Sequence, residues 1–156
     1  MKQYRFQNIE IQPIIEEVTR LFHHRLEAEG FELKLQMPEN PLILMADSDA
    51  LKQALTNLVD NAIKYSAGKK EIDIRLIERE KEVEIQVKDC GVGIPPEEQE
   101  KIFDKFYRGT TSTQCVEGVG LGLKIVTHIM EAHQGAVKVQ SQVNQGSAFS
   151  LIFPRT

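Results

Sequence analysis

Asn57 and Asn61 lie four residues apart, and Lys64 follows three positions later, in the run Ala54-Leu-Thr-Asn57-Leu-Val-Asp60-Asn61-Ala-Ile-Lys64-Tyr65-Ser66. On a helix these three side chains fall within roughly 60° of one another. Leu51, Leu55, Leu58, Val59 and Ala62 gather on another face, roughly 135° away. One helix can therefore bury its apolar side and present two carboxamides and an ammonium on another. Carboxamide oxygens ligate hard cations, and lysine meets phosphate. The combination points to a nucleotide-phosphate and Mg²⁺ site. Taken alone, the pair also reads as two solvated asparagines, since Asn is only a modest helix former.

Two glycine-bearing segments extend the first reading. Asp89-Cys-Gly91-Val-Gly93-Ile-Pro95 directly follows a strand-like stretch, and Gly118-Val-Gly120-Leu-Gly122-Leu opens a helix-like one. Glycine permits close backbone approach, and exposed amides at a helix start favour phosphate. Neither segment matches GxGxxG or GxxxxGK[ST], so a dinucleotide fold and a P-loop are unsupported. Asp89 closes an otherwise apolar alternating strand. Its carboxylate can accept a hydrogen bond from a base amino group, or serve as an ordinary strand-end turn residue. Between the segments, residues 95–117 are polar and mixed, as in a mobile lid with one short helix near 97–103. There Phe103, Phe106 and Tyr107 precede Arg108, which can reach a terminal phosphate.

The elements that must position these groups follow from periodicity. Residues 8–11 read as a short strand, 13–29 as a helix with apolar Ile14, Ile15, Val18, Leu21, Phe22 and Leu26, and 31–37 as a half-buried strand. Another strand covers 42–45. Asp47 or Ser48 caps a helix running to Ser66. Strands follow at 72–76 and 83–87. A helix over 121–133 has Leu121, Ile125, Ile129 and Ala132 as its buried stripe, and closing strands cover 137–141 and 148–153 around a turn with Asn144 and Gly146. Strands and helices in this order place the helices on one face of a sheet.

Composition sets the outer bounds. With 156 residues the chain makes one domain with a real core. A net charge of −4 gives no general pull toward nucleic acid or an anionic membrane. No apolar run approaches bilayer length, and no signal-peptide stretch is present, so a cytoplasmic domain without direct membrane contact is expected. Cys90 and Cys115 lack metal-ligand spacing and fit a reducing compartment.

These motifs, in this order, resemble the ATP-binding catalytic domain of sensor histidine kinases, within the superfamily shared with type II topoisomerases, Hsp90 and MutL. The similarity runs from about Ile9 to Pro154. The N-box is similar to Asn57–Ser66, the first glycine box to Asp89–Ile94, the F-box to Ile102–Arg108, and the second glycine box to Gly118–Leu123. Gly146-Ser147-Ala-Phe149 looks like the family's last glycine-bearing turn.

The resemblance implies an α+β fold: a two-layer sandwich, with a mixed, mostly antiparallel sheet covered on one face by three helices and an ATP lid. ATP would lie between the N-box helix, the glycine boxes and the lid. Asn61, assisted by Asn57, would hold Mg²⁺. Lys64 and Arg108 would meet phosphates, Tyr65 would pack near adenine, and Asp89 would bond its exocyclic amine. Gly91, Gly93, Ile94, Phe103, Gly118, Val119, Gly120, Leu121, Gly122, Leu123 and Ser147 would complete the nucleotide site.

The superfamily's ATPases carry Glu where this chain has Asn57. An amide is no comparable base, so the resemblance implies transfer of the γ-phosphoryl to a histidine, with slow hydrolysis. Asn57, Lys64 and Arg108 would carry that transfer. The family's acceptor histidine sits in a helical dimerisation domain, and His23, His24, His128 and His133 lack its sequence context. The expected partners are therefore a separate His-bearing dimerisation domain of the same kinase and a downstream response regulator. The alternatives are a standalone anti-sigma-type Ser kinase or a nucleotide-binding regulatory module without transfer activity.

Overall fold

The computed structural model describes residues 3–64, 69–91, 119–142 and 145–155, with backbone alone at 119–121 and 142. The proposed lid, Tyr65, Gly93, Ile94, Phe103, Arg108 and Gly118 lie outside the described residues.

Alternation decides the strands. β2 (Glu32–Gln36), β4 (Glu71–Glu78), β5 (Glu82–Asp89), β6 (Ala136–Gln142) and β7 (Gly146–Pro154) form one sheet in the order β2-β4-β5-β7-β6. Only β2 and β4 run parallel; the other pairs are antiparallel. Ile72, Ile74, Leu76, Val83, Ile85, Val87, Phe149, Leu151 and Phe153 all point into the core. The alternate residues Glu84, Gln86, Lys138 and Ser150 line the opposite face. Period-two patterning thus assigns each strand one apolar and one polar side.

The helices cover the apolar side. α3 (Ser48–Lys64) buries Ala50, Leu51, Ala54, Leu55, Leu58, Val59, Ala62 and Ile63. Asp47 caps it: its Oδ1 accepts the Ala50 N–H at 2.9 Å. α4 (Val119–Ala132) packs against α3 and against β6 and β7.

Three expectations need correction. The single helix over 13–29 is two helices, α1 (Ile11–Leu21) and α2 (His23–Glu29), so four helices are described, not three. Phe22, at φ −96° and ψ 0°, interrupts the ladder. The break lets Phe22 and Leu26 reach the core and leaves Leu21 69% exposed, although periodicity had grouped Leu21 with them. α1 also begins at Ile11, which is fully buried and belongs to the helix, not to the preceding strand. Second, β1 (Gln7–Glu10) and β3 (Ile43–Ala46) do not join the main sheet but pair only with each other. Third, the buried stripe of α4 is Leu123, Val126, Ile129 and Met130. Ile125 and Ala132 are half-buried, and the Leu121 side chain lies outside the described residues. The helix carries apolar residues on two adjoining faces, and packing against α3 selects between them.

Leu55 of α3 is fully buried in the core. Leu55→Ala should lower unfolding free energy by about 2–5 kcal/mol, read from urea denaturation midpoints.

Candidate functional site

The connections bring the separate segments to one edge of the sheet. α3 ends at Lys64, and β4 begins soon after, at Glu71. Ile72, near the start of β4, pairs with Asp89 at the end of β5, so the C-terminus of α3 and Asp89 share an edge. β7 starts at that same edge, where Lys88 pairs with Ala148. α4 ends at the other edge: β6 begins at Ala136, which pairs with Ile152 near the far end of β7. The N-terminus of α4 therefore returns to the Asp89 edge. Asn57, Asn61, Lys64, Asp89, Gly91, the opening of α4 and Ser147 are thus assembled on one side of the molecule.

Asp89 is 5% exposed. Its Oδ1 accepts two backbone donors, the Gly91 N–H at 2.9 Å and the Ser147 N–H at 3.2 Å. Among the described residues nothing bonds Oδ2, which can accept a donor from a ligand. The carboxylate is thereby aimed by its own strand and by β7 together. Gly146 makes the approach possible. It holds φ +107°, and a Cβ there would stand 2.1 Å from the Asp89 carbonyl oxygen. Burial pushes the Asp89 carboxyl up to about 6, against the lowering effect of the Gly91 and Ser147 amides.

Asn57 and Asn61 are half-buried on the non-core side of α3. The Asn57 Nδ2 is buried and has no hydrogen-bond partner among the described residues. Leaving such a donor unsatisfied costs about 1–3 kcal/mol, and an anionic oxygen in the site would satisfy it. Lys64 points to its own helix here: its Nζ meets Asp60 Oδ2 at 3.0 Å. Gly122 lies within the first turns of α4, and a Cβ there would meet nothing within 4 Å. Packing among the described residues therefore gives no reason for glycine at that position. Leu123 is core, 2% exposed, so its side chain serves the fold. Ser147 uses its backbone amide on Asp89 and shares a hydroxyl contact of 2.8 Å with Ser141.

Sequence reasoning missed Asp60 and Arg25. The Arg25 Nη1 donates to Asp60 Oδ1 at 2.7 Å, opposite the Lys64 contact. The Asp60–Lys64 spacing of i, i+4 was visible in the sequence; the Arg25 contact, from another helix, was not.

Among the described residues no helix is long and apolar enough to cross a membrane. The profile of the histidine kinase-, DNA gyrase B- and HSP90-like ATPases matches residues 46–156. The chain is 36% identical over 150 residues to the sensor-like histidine kinase SenX3 of Mycobacterium bovis, covering 94% of this chain and 36% of that protein. It is 36% identical over 153 residues to the sensor protein SrrB of Staphylococcus aureus, covering 95% of this chain and 26% of that protein. It thus spans about a third or less of these curated relatives. Among solved structures, the catalytic domain of histidine kinase ThkA superposes with a TM-score of 0.85 at 29% identity, covering 97% of this chain and 99% of the other. The chain belongs to the histidine kinase-, DNA gyrase B- and HSP90-like ATPase family, as a histidine-kinase-type ATP-binding catalytic domain.

The raised Asp89 carboxyl sets a sign for stability. The folded chain keeps this proton up to about pH 6, whereas the unfolded chain releases it near 3.8. Between those values the folded state binds more protons, so this group's contribution to stability is full at low pH and is lost as pH rises through 6. Asp89→Asn keeps an Oδ1 for both amides but cannot titrate. From pH 4 to 6.5 the parent should lose about 2–3 kcal/mol relative to the variant, measured by urea unfolding of both proteins across that range.

Proposed function

We propose that this domain binds ATP with Mg²⁺ and transfers the γ-phosphoryl group to a histidine on a separate dimerisation domain, from which a response regulator takes it. The observation that carries the reading is Asp89. Its Oδ1 is fixed by two backbone amides and its Oδ2 has no partner among the described residues, which suits the exocyclic amine of adenine at a buried edge. A protonated amine would find a carboxylate there, but so would a neutral one, and the adjoining glycine-bearing helix start selects a phosphate-bearing ligand.

The base would sit over the Asp89 edge, with Tyr65 beside it. The phosphates would extend along Asn57, Asn61 and Lys64 toward the backbone amides of residues 118–123. Asn57 Nδ2, buried without an acceptor, would donate to a phosphate oxygen. Among the described residues no cluster of three His, Cys, Asp or Glu side chains is available for a metal. Mg²⁺ would rest on the Asn61 carboxamide oxygen, helped by Asn57, with phosphate oxygens and waters completing its shell. Bound there, it would neutralise charge on the triphosphate.

In the transfer itself, an imidazole nitrogen of the acceptor histidine bonds to the γ-phosphorus. The bond from that phosphorus to the β–γ bridging oxygen breaks, and ADP leaves with the electron pair. Lys64 and Arg108 would stabilise the charge that gathers on the transferred group and the leaving oxygen. Asn57 is an amide and cannot activate water as a carboxylate does, so the chain's own chemistry favours the histidine over water. Positioning by these residues supplies the catalysis.

Five outcomes are expected. Asp89→Asn retains the fold but places an amide donor toward the adenine amine, so ATP affinity should fall about tenfold or more by calorimetric titration. In the parent, affinity should also decline as pH drops below 6, because the accepting carboxylate is then protonated. Gly122→Ala should leave stability unchanged or raise it by up to about 1 kcal/mol while weakening Mg²⁺–ATP binding. Mixing the domain with a His-bearing dimerisation domain and γ-labelled ATP should label that histidine, and Asn61→Ala should remove both the label and the Mg²⁺ dependence of binding. ATP binding without any label would assign the domain to non-catalytic regulation.

A further inference from the structure

Asp60 lies between Asn57 and Asn61 in sequence, and on the helix wheel it falls roughly 60° from Asn57 and roughly 100° from Asn61. On the helix wheel Lys64 lies roughly 40° from Asp60 on one side and roughly 60° from Asn61 on the other. Its flexible stem can therefore turn either way. In this structure it turns to Asp60, whose Oδ2 it meets at 3.0 Å. The other oxygen of the same carboxylate is taken by the Arg25 guanidinium of α2, at 2.7 Å. Arg25 is itself steadied by Glu29 at 3.1 Å, one turn on. Half-buried Asp60 thus has a cation on each of its carboxylate oxygens, and the two compete for it.

A carboxylate that holds Lys64 keeps an ammonium from phosphate and also repels a triphosphate approaching the same helix face. A second cation on that carboxylate weakens both effects. Arg25 supplies that cation from a different helix, and its guanidinium cannot be deprotonated. We propose that Asp60 and Arg25 are positioning residues that set the availability of Lys64 to the nucleotide: Asp60 parks the lysine, and Arg25 occupies the carboxylate so that the lysine is released to phosphate. This rests on the reading of Lys64 as a phosphate contact.

The test is a set of Mg²⁺–ATP-analogue titrations, with a non-hydrolysable triphosphate, on the intact domain and its variants. Asp60→Asn should tighten binding about two- to fivefold and Arg25→Gln should weaken it by a similar factor. Both changes should vanish in a Lys64→Met background, and neither should alter binding of adenosine, which has no phosphate. Arg25→Lys, which preserves the charge, should recover most of the lost affinity; a purely structural role in joining α2 to α3 would move thermal melting and adenosine binding together with triphosphate binding. Equal effects with and without Lys64 would overturn the proposal, since the pair would then act through charge or fold alone. If Lys64→Met leaves triphosphate affinity unchanged while Asn61→Ala lowers it, the phosphate role of Lys64 falls and this proposal falls with it. If Lys64→Met weakens binding but the coupling is absent, only the positioning role is lost.

Discussion

The Asp89 carboxylate is the constraint around which the site is built. It sits on the core-facing side of β5, at the C-terminal end of this central strand, where an ionised group is tolerated only with donors in place. Two backbone amides supply them, one from the strand's own continuation and one from the start of β7. For the second to reach, Gly146 must pass close against the Asp89 backbone in a conformation that disfavours a side chain. A single carboxylate thereby fixes the register at the open end of β5 and β7. It also fixes which of its own oxygens the backbone engages.

The other edge of the molecule is tied by a comparable device without any ligand role. Asp47 caps α3 through Oδ1, accepts the Arg5 N–H through Oδ2 at 2.7 Å, and donates its own N–H to His133 Nε2 at 3.0 Å. Because Nε2 accepts, the proton lies on Nδ1, which donates to the Ile129 carbonyl at 2.8 Å. The start of α3 and the end of α4 are locked together there, and the edge rings of Tyr4, Phe6 and Phe153 surround the imidazole. Locking one end fixes how the same two helices, α3 and α4, lie against each other. Both nitrogens of His133 serve the fold.

Much of this was legible from local patterns. The strands alternate, so Ile72, Ile74, Val83, Ile85, Leu151 and Phe153 could be assigned to a core face before any contact was known. Asp47 stands where a cap must stand. Asn57 and Asn61 fall on the side of α3 opposite its leucines because 3.6 residues per turn leaves no other choice. Legibility failed where apolar residues were too many for a period to discriminate. α4 has two adjoining apolar faces, and Leu21 and Phe22 both look buried until the break between α1 and α2 exposes one of them.

The sequence by itself determined which chemical groups are available and on which face of its own helix or strand each one lies, because both depend on residue type and a short repeat distance. It could not determine which groups meet. Asp89 and Ser147 are 58 positions apart, and Arg25 and Asp60 are 35 apart. Their meeting depends on strand order, on the direction in which α4 returns to the sheet, and on the packing of α2 against its neighbours. The tertiary structure alone showed that Oδ1 of Asp89 takes two backbone amides while Oδ2 has no partner among the described residues. It alone also showed that Lys64 is shared with a carboxylate already held by Arg25. Hydrogen bonds and ion pairs are short-ranged, so distances of a few ångströms, which no periodicity encodes, decide what each charged group can do.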